Sequence, residues 1–159
     1  MNEYRSVVSH VSEFSNTKDL NLQGQFKDNY SSLGTQVNKA LGACAPANIA
    51  QVRSINTALN NLIRVPEGLT KNLLILNLSR NRLKSLTGIE ICSRLTFLNA
   101  SHNMIQTVST ISVLQKLKEL FLGNNWLPSA ALKEFSGLKS LQLLDLGYNK
   151  LSADVDKWN

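Results

Sequence analysis

Five asparagines, Asn60, Asn81, Asn103, Asn125 and Asn149, recur along this chain at steps of 21, 22, 22 and 24 residues, each at the same place in a pattern of aliphatic residues. The five units read Val52/Ile55/Thr57/Asn60/Leu62, Leu73/Leu76/Leu78/Asn81/Leu83, Leu95/Leu98/Ala100/Asn103/Ile105, Leu117/Leu120/Leu122/Asn125/Leu127 and Leu141/Leu144/Leu146/Asn149/Leu151. One apolar unit repeated at a fixed period of roughly 20 to 50 residues marks a solenoid, because a single unit cannot bury its own apolar face and a stack of them can. Few other folds are compatible with such a sequence. A solenoid is a display surface, so binding and not catalysis is the default expectation.

Within each unit the alternation x-L-x-L-x has period two and predicts a short strand, its aliphatics inward and its x positions on a concave face. A second apolar set, Leu83/Leu86/Ile89, Ile105/Val108/Ile111/Leu114 and Leu127/Leu132/Phe135/Leu138, is spaced by about three residues and predicts 3₁₀ turns or short helical pieces on the convex return path. The longer last step predicts a fuller helix across Ala130 to Ser136. The asparagines are expected to be structural: a buried amide both donates and accepts, so it can bridge one coil to the next.

The ends break the pattern. Tyr4, Val7, Val8, Val11 and Phe14 recur at helical spacing and predict a short amphipathic helix over residues 4–15. Leu20-Asn21-Leu22 with Gln25 reads as a degenerate first strand, and Leu33, Val37, Ala40 and Leu41 as a second helix before Ala45-Pro46. Residues 1–50 are therefore expected to form a helical N-terminal cap with a degenerate first repeat, and residues 51–159 the repeats, with motifs starting at 52, 73, 95, 117 and 141. After Leu151 too few residues remain for another coil. That end is expected to be covered by Trp158 folding back, or else to be incomplete or closed by a partner.

In these repeated residues the chain resembles the leucine-rich repeat family. The stretch from Leu95 to Leu114 fits L-x-x-L-x-L-x-x-N-x-I-x-x-I-x-x-L-x-x-L, which looks like the short intracellular class with a 22-residue period. That class includes a nuclear regulatory subunit of protein phosphatase 1, the spliceosomal A-prime protein and an axonemal dynein light chain. The resemblance implies an α/β solenoid, a horseshoe with a concave parallel sheet and convex 3₁₀ or short helices. It also implies a non-catalytic adaptor or regulatory subunit that grips another protein on the concave face, with no cofactor.

Charge and cysteine content narrow the setting. The formal charge is +6, and residues 49–151 hold twelve Lys or Arg against five Asp or Glu, so the positive balance belongs to the repeats. No apolar run approaches the ~18 residues of a membrane helix, and the first residues, with Glu3 and Glu13, lack the apolar core of a signal peptide. The two cysteines, Cys44 and Cys92, have no metal-ligand spacing and read as reduced structural thiols. A cytoplasmic or nuclear location follows as the expectation. None of the phosphate-loop, dinucleotide, zinc-protease or serine-elbow motifs occurs, and His10 and His102 have no ligand-spaced partner.

The repeat register then names a surface. The outward position before the second consensus aliphatic holds Ser54, Ile75, Phe97, Glu119 and Leu143; the one after it holds Asn56, Asn77, Asn99, Phe121 and Asp145. Ile75, Phe97, Phe121 and Leu143 are expected to form an apolar patch, with Asn77, Asn99 and Asp145 orienting a protein partner by hydrogen bonds. Tyr148, His102, Arg80 and Asn124 lie beside it. Apolar and aromatic side chains clustered where a sheet meets water are the composition of an interaction hot spot. At the strand entrance, Lys71, Arg94, Lys116 and Lys139 predict a basic rim, the alternative being a subunit of a ribonucleoprotein complex that sets this rim against RNA. Trp126, between the consensus Asn and Leu, is expected to pack on Pro128 or to widen the binding surface.

Overall fold

The computed structural model describes residues 19–24 and 50–152. Six three-residue strands form one parallel sheet in chain order: β1 (Asp19–Asn21), β2 (Ser54–Asn56), β3 (Ile75–Asn77), β4 (Phe97–Asn99), β5 (Glu119–Phe121) and β6 (Leu143–Asp145). Each strand is centred on an aliphatic residue, and Leu20, Ile55, Leu76, Leu98, Leu120 and Leu144 stand in register across the sheet. Their neighbours on either side point to the opposite face, as strand geometry requires. The degenerate first strand is thus β1, paired with β2, and Leu20 and Leu22 are buried. The helices expected over 4–15 and around Leu33 to Leu41, with Cys44 and Trp158, lie outside the described residues.

The return path is built from 3₁₀ helices at Ile89–Ile91, Ile111–Val113 and Ser129–Gly137. Leu83, Leu86 and Ile89, then Ile105, Val108, Ile111 and Leu114, are buried against the strand aliphatics as one continuous core. The third set differs from expectation at one position. Leu132 is exposed, and Ala131 takes the inward place beside Phe135. Counting threes back from Leu138 picks Leu132, but residues 131 and 135, four apart, are the pair that shares the inner face.

The asparagine side chains stitch the coils. The amide of Asn103 donates to Leu78 O of the preceding coil at 3.0 Å and to Ala100 O of its own at 3.1 Å, while its oxygen accepts the Leu83 N–H at 3.0 Å. Asn81 repeats this with Thr57 O, Leu78 O and the Leu62 N–H, and Asn125 with Ala100 O, Leu122 O and the Ile105 N–H. Asn149 holds Leu122 O, Leu146 O and the Leu127 N–H, and Asn60 donates to Leu22 O and Thr57 O. Each therefore satisfies backbone groups that the turn aims into the core, where an unpaired amide or carbonyl is costly.

The last coil is less enclosed. All three residues of β6 are exposed, Leu144 by 39%, whereas Leu98 and Leu120 at the same position are fully buried. Leu141, Leu146 and Leu151 are only partly covered.

Cys92 shows what the interior does to a polar group. It is fully buried, and desolvation, followed by the nearby Glu90 carboxylate, pushes its thiol up to about 12. The thiolate is the reactive form. Cys92 is expected to stay unalkylated by iodoacetamide at pH 8.5 in the native protein and to react at once in denaturant, read by mass spectrometry of its peptide. Native-state labelling at the denatured rate would contradict the burial.

Candidate functional site

The sheet places the outward residues in two columns. One runs Asp19, Ser54, Ile75, Phe97, Glu119, Leu143; the other runs Asn21, Asn56, Asn77, Asn99, Phe121, Asp145. Ile75 and Phe97 are lateral neighbours, ~4.8 Å apart by strand spacing. Phe97 and Phe121 sit diagonally, ring centroids 5.5 Å apart and tilted by 43°. A tilted aromatic pair at this distance is attractive beyond its buried area, by about 0.5–1.5 kcal/mol. Both rings are half-buried, and Ile75 is 44% exposed. Leu143, 43% exposed, lies diagonal to Phe121, with Glu119 between it and Phe97 in their column. The apolar residues therefore follow a zigzag around one carboxylate.

The polar column has a job that the sequence reading missed. The side-chain oxygen of each member accepts the amide two residues on: Asn21 from Gln23, Asn56 from Ala58, Asn77 from Ser79, Asn99 from Ser101 and Asp145 from Gly147, all at 2.9–3.1 Å. These are Asx turns that close the end of each strand. Asn77, Asn99 and Asp145 thus serve the backbone of their own coils besides facing outward. One oxygen of each already accepts a backbone N–H, and Asp145 also lies against the preceding coil, where a Cβ on Gly123 would come within 2.7 Å of its second oxygen. What Asn77 and Asn99 keep for a partner is the donor half of the amide. Phe121 interrupts this column of turns with an aromatic ring.

The residue before each consensus asparagine forms a further column: Leu59, Arg80, His102, Asn124 and Tyr148, every one at φ between 53 and 58. For residues other than Gly and Asn this left-handed backbone costs about 1–2 kcal/mol. It is imposed by the ladder: the amides of Leu59, Arg80, His102 and Asn124 donate to Ser79, Ser101, Gly123 and Gly147 carbonyls of the next coil. Tyr148 bears this backbone while its side chain is 87% exposed.

Two positions later the side chains are Asn61, Arg82, Met104, Trp126 and Lys150, held in register by Arg82 N–H to Leu62 O, Met104 N–H to Leu83 O and Trp126 N–H to Ile105 O. Trp126 meets a cation of the next coil. The Lys150 ammonium of the next coil sits 4.7 Å from its ring centroid, a cation–π contact. At the other end of the strands, Lys71, Arg94, Lys116 and Lys139 are exposed. Arg94 and Lys116 each directly precede a buried consensus leucine, whereas Lys71 and Lys139 stand one residue further back, so the four do not form a single column.

No group of three or more His, Cys, Asp or Glu that could hold a metal occurs among the described residues. No helix among them is long and apolar enough to cross a membrane.

Comparison with known proteins agrees with this architecture. The sequence profile of the family described as leucine rich repeat matches residues 107–151. No curated protein sequence matches the chain. Among solved structures the chain is similar to an internalin (inlF) from Listeria monocytogenes, with a TM-score of 0.69 at 20% identity over 89% of this chain and 45% of that one. It is also similar to a second internalin from the same bacterium, with a TM-score of 0.60 at 21% identity over 72% of this chain and 52% of that one. In the LRIM1/APL1C complex the match is 0.67 at 23% identity over 91% of this chain and 26% of that one. The chain thus spans about half, or less, of the length of the structures it matches. These matches speak for the repeat type, and the short intracellular class rests on the sequence resemblance alone. At such identities the likeness concerns fold: the chain is a leucine-rich repeat solenoid.

Proposed function

We propose that this protein is a non-catalytic interaction module, an intracellular adaptor or regulatory subunit, that binds another protein on the face of its sheet. The observation that carries the reading is the Phe97–Phe121 ring pair standing beside Ile75 on a face that is open to water. Core leucines are explained by stacking; these three side chains are not, since their strand positions point away from the core. Leu143 and Tyr148 extend the patch. Anchors of this kind contribute most when a partner's apolar helix or loop covers them and expels water, often 2 kcal/mol or more per residue. Proteins of this repeat type generally mediate protein–protein interaction, and one of the matched structures is a complex.

The test compares proteins co-purifying with tagged wild type and with a Phe97→Asp/Phe121→Asp variant, once circular dichroism has established that both are folded. A partner held by wild type and lost from the variant supports the reading, because two carboxylates cannot be buried against an apolar ligand surface without a compensating charge. Identical partners on both proteins would move the binding site off the sheet face.

A further inference from the structure

The positive charge of this solenoid is not spread evenly. Among the described residues of the sheet face, the strand residues and those directly before them include two cations, Arg53 and Lys118, and three acids, Asp19, Glu119 and Asp145. The strand-exit edge is different. Residues 80–84, 102–106, 124–128 and 148–152 contain Arg80, Arg82, Lys84, Lys150 and His102 and no Asp or Glu. The four cations and His102 are all exposed, and Trp126 and Tyr148 are exposed among them, by 41% and 87%. Two backbone ladders hold these coils in register, one through the residues before the consensus asparagines and one through the residues after them. Four coils at ~4.8 Å spacing then make a strip about 14 Å long.

We propose that this strand-exit edge binds single-stranded nucleic acid. Arg80, Arg82, Lys84 and Lys150 would meet phosphates, and Trp126 and Tyr148 would stack bases. Lys150 lies over one face of Trp126 and leaves the other for a base, and a cationic track interleaved with aromatic side chains is how sequence-tolerant single-strand binding is built. An acidic peptide would satisfy the charges equally well, but it would leave the rings with nothing flat to cover. Exposed aliphatic groups, which a peptide would want, are scarce in these four coils of the edge. The site meets the one on the sheet face at Tyr148 and does not include its Phe97–Phe121 centre.

The repeats supply substitutions that the backbone already accepts. Asn124 occupies the position of Arg80 and Tyr148, Gln106 that of Lys84, and Met104 that of Trp126. Binding of a fluorescein-labelled oligouridylate is measured by anisotropy across a salt series. With four phosphate contacts, log K is expected to fall against log salt with a slope of about −2.8, roughly fifty-fold between 50 and 200 mM. Arg80→Asn/Lys84→Gln should make the slope shallower by about 1.4. Trp126→Met/Tyr148→Asn should weaken binding about tenfold or more at an unchanged slope. Phe97→Asp/Phe121→Asp should leave the oligonucleotide bound, which separates this proposal from the sheet-face reading. No binding at low salt overturns the proposal, as does binding that neither edge variant alters. Labelled polyglutamate binding as tightly as the oligouridylate would also overturn it, because it would mean that charge alone is recognised.

Discussion

Replacing Asn103 by leucine is expected to lower the melting temperature by about 6–12 °C, and the same change at Asn149 by less than half as much. Leucine keeps the branched outline of asparagine without its polar atoms, so the loss is chiefly one of hydrogen bonds, to which crowding by its larger methyl groups only adds. The Leu83 N–H loses its acceptor in a fully buried place, at about 1–3 kcal/mol. Leu78 O and Ala100 O each lose one donor but keep another, from Asn81 and Asn125. Each of those losses is nearer ~0.5–1 kcal/mol. The total is about 3 kcal/mol, which at roughly 2–4 °C per kcal/mol for a chain of this size gives the stated range. Asn149 makes the same bonds but is half-buried, so water can take over part of its role. The measurement is thermal unfolding followed by circular dichroism. Equal shifts at the two positions would mean that the spacing of the asparagines, and not the bonds they make, is what the fold needs.

The asparagine spine and the strands were legible because both are written in side chains whose burial repeats with a period. Leu76, Leu98 and Leu120 announce the inner face by alternation alone, and the register between strands follows from equal repeat lengths. The 24-residue step to Asn149 also announced its longer helix, at Ser129–Gly137. Leu132 shows where pattern reading fails. A three-residue count and a four-residue count both pass through Phe135, and only packing chooses between Leu132 and Ala131.

What the sequence hid lies at the strand exits. The left-handed column before each consensus asparagine carries no glycine. Leu59, Arg80, His102, Asn124 and Tyr148 have nothing in common as side chains, and for the first four a ladder of amides to the next coil holds the backbone. The Asx turns left a trace that could have been read. Asn56, Asn77, Asn99 and Asp145 are each followed two residues later by Ala, Ser, Ser or Gly, and a short carboxamide or carboxylate before a small residue is a local turn signal. An outward asparagine invites a functional reading only after its own backbone has been served.

Leu98→Ala and Leu144→Ala remove the same atoms from equivalent strand positions, yet their costs are expected to differ by about 2–3 kcal/mol. Leu98 is fully buried between Leu76 and Leu120, in a layer closed on both sides. Truncating it leaves a cavity that rigid neighbouring coils cannot collapse, at about 3–4 kcal/mol. Leu144 has Leu120 on one side and is 39% exposed, so alanine there mostly gives back surface that water already reaches, at about 1 kcal/mol. Urea unfolding of the two variants measures the difference directly. The comparison reports on more than packing, because in a solenoid each layer is stabilised by its two neighbours and an outer layer has only one. A Leu144→Ala cost rising to that of Leu98→Ala would mean that β6 is covered in solution, and the exposed apolar strip along Leu141, Leu144 and Leu146 would then be an internal surface.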